Sequence, residues 1–168
     1  MRLRLALLAA LVAAPAHAQG NMPDYLDDRS TPAALVQSHY NAINRGEYLR
    51  AWSYFGANAY ARDDDADAQA DYEAMKTLYE EPAFFEVLTG TVTEEGAAGS
   101  TYSYVPVALK VRDGDGATYQ LAGCYAIRLA QPANQDAPPY HPMHIVSGEL
   151  DLADDTSLES VLPSDCTP

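Results

Sequence analysis

The chain predicts an α+β fold, with two to three N-terminal helices packed on a curved, mainly antiparallel sheet of about four to six strands. Three observations predict it. Helical periodicity runs through TPAALVQSHYNAINRGEYLRAWSYF, from Thr31 to Phe55. After Ala83 the apolar period changes to two. Clusters rich in Gly, Asp and Pro then separate the alternating runs.

The first eighteen residues stand outside this fold. Arg2 and Arg4 precede an apolar run from Leu5 to Ala14, and Ala16-His17-Ala18 supplies the small-x-small pattern of a signal peptidase site before Gln19. The run is too short to span a bilayer as a mature helix. An exported protein, periplasmic or extracellular, is therefore expected. The expected organisation is a cleaved signal over 1–18, a loose lead-in over 19–29, a single domain over 30–152, and a C-terminal tail over 153–168 tied back by a disulfide. Without Arg2 and Arg4, eight basic residues face 24 acidic ones, a net charge near −16. Such a surface repels phosphate backbones and anionic membranes, so nucleic acid is not an expected partner. No later run has the length or apolarity for membrane insertion.

In chain order, Ser30 or Thr31 caps a first helix and Pro32 suits its first turn. Leu35, Val36, His39, Tyr40 and Ile43 share one stripe. Gly46 ends the helix, and Glu47 begins a second whose buried face is Tyr48, Ala51, Trp52 and Phe55. Gly56 to Asp71 reads as an acidic loop with some helical turns. A third short helix over Asp71 to Glu81 carries Tyr72, Met75, Leu78 and Tyr79, with Pro82 as its stop. Strands are expected over Phe84–Thr93, Thr101–Arg112, Thr118–Leu129 and Met143–Leu152, with turns at Glu94–Gly99 and at Asp113-Gly-Asp-Gly116.

The two cysteines of the mature chain, Cys124 and Cys166, predict one disulfide closing a loop of about 40 residues and contributing about 3–4 kcal/mol. Cys124 alternates to the face opposite Leu121, Tyr125 and Ile127. If that second set faces the helices, the tail must cross the other side of the sheet or wrap its edge.

Leu35–Tyr40–Ile43, the bend Asn44-Arg45-Gly46-Glu47-Tyr48, and Ala51–Trp52–Phe55 resemble the opening of the nuclear transport factor two-like superfamily, the cone-shaped α+β fold shared with ketosteroid isomerases and polyketide-cyclase-like proteins. The resemblance covers residues 30 to about 152. It implies a cavity between the opening helices and the sheet, and no single activity, because the fold hosts enzymes, binders and interaction domains.

Several chemistries are excluded by pattern. There is no G-x-S-x-G elbow, phosphate loop or dinucleotide fingerprint. Asp63, Asp65 and Asp67 begin a calcium-loop spacing, but Ala68 and Ala74 stand where it needs glycine and glutamate. His141 and His144 lack a third ligand at a readable spacing, so no metal and no cofactor is expected. Twelve tyrosines suit a wall that is apolar with polar tips. The candidate cavity residues are Tyr40, Trp52, Tyr54, Tyr125 and His144, and the expected ligand is small and apolar or ring-shaped. The leading expectation is an exported, non-catalytic ligand-binding or interaction domain. A small isomerase, cyclase or dehydratase using His144 or a strand carboxylate (Glu86, Glu149 or Asp151) as base is the alternative. An envelope interaction module, working through the sheet's outer face or as a homodimer, is the third.

Overall fold

The computed structural model describes residues 22–56, 66–82, 84–138, 140–154 and 157–167. The signal pattern and the Asp63–Asp65 part of the acidic loop lie outside these residues. Among the described residues, four α-helices pack with a curved antiparallel sheet of five strands. The helices are α1 (Pro32–Asn44), α2 (Tyr48–Trp52), α3 (Ala66–Glu80) and α4 (Leu158–Val161). The strands are β1 (Phe84–Thr89), β2 (Thr93–Ala97), β3 (Ser100–Arg112), β4 (Thr118–Ala130) and β5 (His144–Ala153).

The opening helix forms for local reasons. The Thr31 side chain accepts from the Ala34 amide, Pro32 occupies the first turn, and Gly46 takes a left-handed φ of 68° just past the end. Its stripe of Leu35, Val36, Tyr40 and Ile43 is buried against Val105, Val107, Leu109 and Val111 of β3 and Tyr125 and Ile127 of β4. Asn44 fastens the helix end to β1, donating to the Phe85 carbonyl and accepting from the Phe85 amide, both at 2.7 Å. α2 is shorter than its apolar pattern. After Trp52 the chain leaves the helix so that the Tyr54 carbonyl accepts from the Ile145 amide at 2.7 Å, and Phe55 bridges to the start of β5. α3 begins earlier than expected, at Ala66 rather than Asp71. Its first turn is alanine-rich, which favours helix without contributing an apolar stripe.

The sheet runs β1-β3-β4-β5, with β2 also on β3. The single strand expected over Phe84–Thr93 is broken. β1 pairs with the 107–112 half of β3, and β2 pairs with the 100–104 half. Between them the Gly90 amide donates to the Pro106 carbonyl at 2.8 Å. The turn expected over Glu94–Gly99 shrinks to Ala98–Gly99, because Thr93–Ala97 is itself strand. All five residues of β2 are exposed, so no apolar alternation marks it.

Cys124 and Cys166 form the expected disulfide. The tail crosses the sheet face opposite the core helices. There Cys124 sits beside Pro106 in register, Leu162 approaches Gly90, and the Thr93 hydroxyl donates to the Cys166 carbonyl at 3.0 Å. α4, capped by Ser157, was not legible as a helix and brings buried Leu158 to this face. Pro106 and Ala108 are consequently buried on the side away from α1, and β3 is covered on both faces.

The lead-in is docked rather than loose. The Leu26 amide donates to Asn41 and the Asp28 amide to the Ser38 hydroxyl, while Arg45 and Arg50 donate to the carbonyls of Pro23 and Leu26. These bonds satisfy polar groups on the outer side of α1 that its apolar periodicity leaves unassigned. Replacing both cysteines by serine should lower unfolding stability by about 2–4 kcal/mol, read as the urea midpoint. An oxidised wild type whose midpoint equals that of the double variant would contradict the tail's role.

Candidate functional site

A pocket of about 300 Å³ opens between α1, α3 and the sheet. Tyr40 from α1, Tyr79 from α3 and Tyr125 from β4 line its polar part, and Phe85, Leu109, Leu121 and Leu150 line its apolar part. Tyr40 and Tyr125 are buried, and their hydroxyls meet at 2.7 Å. The Tyr79 phenol interacts with both. Edge-on rings hold the group in place, with Tyr40 against Tyr79 and Tyr125 at 6.3 Å between centroids in each case. Burial raises Tyr40 and Tyr125 well above the usual phenol range, and Tyr79 rises for the same first reason. All three are neutral donor-acceptors at pH 7. Tyr125 also lies over the β5 backbone at Gly148, where an added Cβ would come within 2.3 Å of its ring.

The mouth is apolar on one side and acidic beside it. Leu78 is 66% exposed and Tyr119 39% exposed. These two and Pro82 also border a neighbouring depression lined by Glu81, Asp113 and Asp115. One oxygen of Asp113 closes the hairpin by accepting from the amides of Asp115 and Ala117. The turn role read from the sequence is thus correct, and the carboxylates still give the rim a negative sign.

Two of the five expected cavity residues, Tyr40 and Tyr125, line this pocket. Trp52, Tyr54 and His144 do not, and each has a physical reason. Trp52 packs on Phe55 and Tyr72 near the start of α3. Tyr54 faces the docked lead-in, donating to Asp27 at 2.7 Å beneath the Arg29 guanidinium. Burial first, and then that bond, push its phenol up to about 12. His144 lies at the far end of β5, with Nδ1 2.8 Å from the Pro142 carbonyl. The strand carboxylates offered as bases, Glu86, Glu149 and Asp151, are exposed and outside the lining. Tyr79 and Phe85 were missed as wall residues. Tyr79 belonged to the stripe of the third helix, but periodicity cannot tell a wall from a plug.

His39, which no sequence pattern nominated, is fully buried beneath this site. Tyr40, Tyr54, Phe55 and Tyr79 surround it edge-on. Nδ1 lies 3.1 Å from the Ala51 carbonyl, which only accepts, so Nδ1 carries the proton. Nε2 has no partner among the described residues. Burial lowers the imidazole to about 4, against the opposing pull of the Ala51 bond. It is structural, locking α1 to α2. Among the described residues no three His, Cys, Asp or Glu side chains gather as a metal site.

No protein-family model matches the chain, and comparison with curated proteins found no match.

The folded His39 binds a proton less readily than the unfolded one. Its stabilisation is therefore fully present above pH 6.5, falls as pH drops, and is lost by about pH 4. The drop should be about 3 kcal/mol at 1.36 kcal/mol per pH unit. Urea midpoints of wild type and His39→Gln between pH 7 and pH 4 measure it as a gap that shrinks with acid. A gap independent of pH would contradict it.

Proposed function

We propose that this protein is an exported, non-catalytic binding domain for a small, apolar, ring-shaped ligand that carries a hydrogen-bond acceptor. The observation that carries this reading is the Tyr40–Tyr125 hydroxyl pair, set with Tyr79 in an otherwise apolar pocket. A phenol in such a group can turn its hydrogen to a ligand oxygen while accepting from its neighbour. The pocket size suits a compact molecule of one or two rings. The rim of Glu81, Asp113 and Asp115 disfavours anionic ligands and tolerates neutral or cationic ones.

The lining supports binding rather than proton transfer. Among the described residues it holds no carboxylate and no histidine, and its buried phenols are raised away from neutrality. A pocket between the opening helices and the sheet also agrees with the nuclear transport factor two-like resemblance. The Cys124–Cys166 disulfide supports an oxidising, exported setting, in keeping with the N-terminal secretory pattern. The exposed edge strand β5 carries Glu149 and Asp151, which oppose edge-to-edge pairing with a second copy and favour a self-contained binder.

The test is titration with a neutral naphthylamine fluorophore. Wild type should enhance its emission. Leu121→Trp, which fills the pocket, should weaken binding at least tenfold with unchanged far-ultraviolet circular dichroism. Equal binding by the filled variant would place the ligand elsewhere and overturn the reading. Tyr125→Phe should cost about 1–2 kcal/mol of stability through the lost buried hydroxyl contact, checked by urea unfolding.

A further inference from the structure

Tyr102, Arg128 and His144 stand in one row across the sheet. Tyr102 pairs with Arg128 between β3 and β4, and Arg128 pairs with His144 between β4 and β5. They line a second pocket of about 260 Å³, together with Phe55, Ile145 and Val146. Among the described residues it shares no lining residue with the tyrosine pocket.

A β-bulge makes the row. Ala126 pairs with Ser147 but Ile127 pairs with Ile145, so Val146 is an extra residue on β5. Without that insertion, alternation would turn Ile145 outward and His144 into the core. With it, Ile145 is buried and His144 stands beside Arg128.

The row is cationic where the protein is otherwise acidic. Arg29, Arg45 and Arg50, the other half-buried arginines among the described residues, each meet a carboxylate. Arg128 does not. Its Nε donates to the Ser100 hydroxyl at 3.0 Å, and among the described residues no group takes its two terminal nitrogens. A half-buried guanidinium with its fork unsatisfied is a receptor for a planar, bidentate acceptor. His144 adds a second donor when protonated. Its Nδ1 is committed to the Pro142 carbonyl, so Nε2, whose edge of the ring lies beside Gly56 in the pocket wall, is the nitrogen that takes up the added proton. Among the described residues, the charged or titratable groups facing it are Arg128 on β4, His141 in the preceding loop and Tyr102 on β3, and no carboxylate lines the pocket. Phe55, Ile145 and the half-exposed Val146 supply an apolar wall for the body of the ligand.

We propose that the Tyr102–Arg128–His144 row is a second binding site, which takes a small organic carboxylate with an apolar or aromatic body. The carboxylate pairs with the fork of Arg128 and its ring rests on the wall. This site is independent of the tyrosine pocket and selects an anionic ligand, which the acidic rim beside that pocket disfavours.

Burial, joined by Arg128 and His141, holds His144 below its ordinary value against the opposing pull of the Pro142 bond. A bound anion favours the protonated imidazole, so carboxylate binding takes up a proton. Affinity must then rise as pH falls through the range below about 6.5, the ordinary histidine value.

Benzoate and its neutral isostere benzamide are the probes, titrated by calorimetry and followed by the imidazole signals of His144 at fixed ionic strength. Benzoate should bind wild type at least tenfold more tightly than benzamide, and tighten from pH 7.5 to pH 5.5. Arg128→Gln should remove that preference. If this variant fails to fold, Val146→Glu and Val146→Lys at the exposed bulge keep the test: the first should weaken benzoate at least tenfold, and the second should tighten it. Equal binding of the two probes, or benzoate affinity unmoved by either Val146 substitution, overturns the proposal. Leu121→Trp should leave benzoate binding unchanged. Loss of benzoate in that variant would show that the probe enters the tyrosine pocket, and would also overturn it.

Discussion

The Tyr40–Tyr125 hydroxyl contact is the constraint on which the helical layer depends. Both phenols are buried, and a buried hydroxyl without a partner costs about 1–3 kcal/mol. Their 2.7 Å approach therefore sets where α1 crosses the sheet. Tyr79 joins the pair from α3, and its ring meets those of Tyr40 and Phe85, so the third helix is positioned by the same group. Tyrosines hold the helices off the strands at this end, whereas Val105, Val107 and Ile127 close the rest of the core. The pocket is a consequence of using a long, polar-tipped side chain at those positions.

Two covers make that arrangement rigid. On the outer side of the helices, the segment Pro23–Asp28 satisfies Asn41, Ser38, Arg45 and Arg50. On the far face of the sheet, the tail buries Pro106 and Ala108 and is pinned by the disulfide. A sheet of this size exposes one face unless something crosses it. Here a short helix and an extended tail do so, and β3 becomes a strand buried on both sides. On the same face, beyond the tail, stands the row from Tyr102 to His144. The two pockets thus occupy opposite faces of one sheet; the first is lined by neutral groups beside an acidic depression, and the second carries Arg128 and His144.

Local reasoning read much of this. The cap at Thr31, the glycine bend and the stripe of α1 follow from side-chain chemistry within a few residues. The long strands β3 and β4 carry their alternation in the open. Alternation set Cys124 on the face opposite Leu121 and Tyr125, and left the tail either to cross that side of the sheet or to wrap its edge; it crosses. Reading failed where a segment is shaped by something distant. β2 shows no alternation because neither of its faces is buried. The lead-in looked loose because its bonds go to α1 and α2 rather than to itself. Val146 shifts the phase of β5 by one residue, and no periodicity announces a bulge.

The sequence by itself determined the α+β class, the opening helices, the long strands and the cysteine pair, since each is written in periods and spacings that act within one element. It also supplied the tyrosines, without distinguishing Tyr40 and Tyr125, which meet in a pocket, from Tyr54, which is spent on Asp27. Only the tertiary structure decided that, because a side chain's role depends on what the opposing element presents to it. The same holds for His144. Its residue type made it a candidate base in a cavity, and the register of three strands, reset by one bulge, places it beside Arg128 on the other face of the sheet.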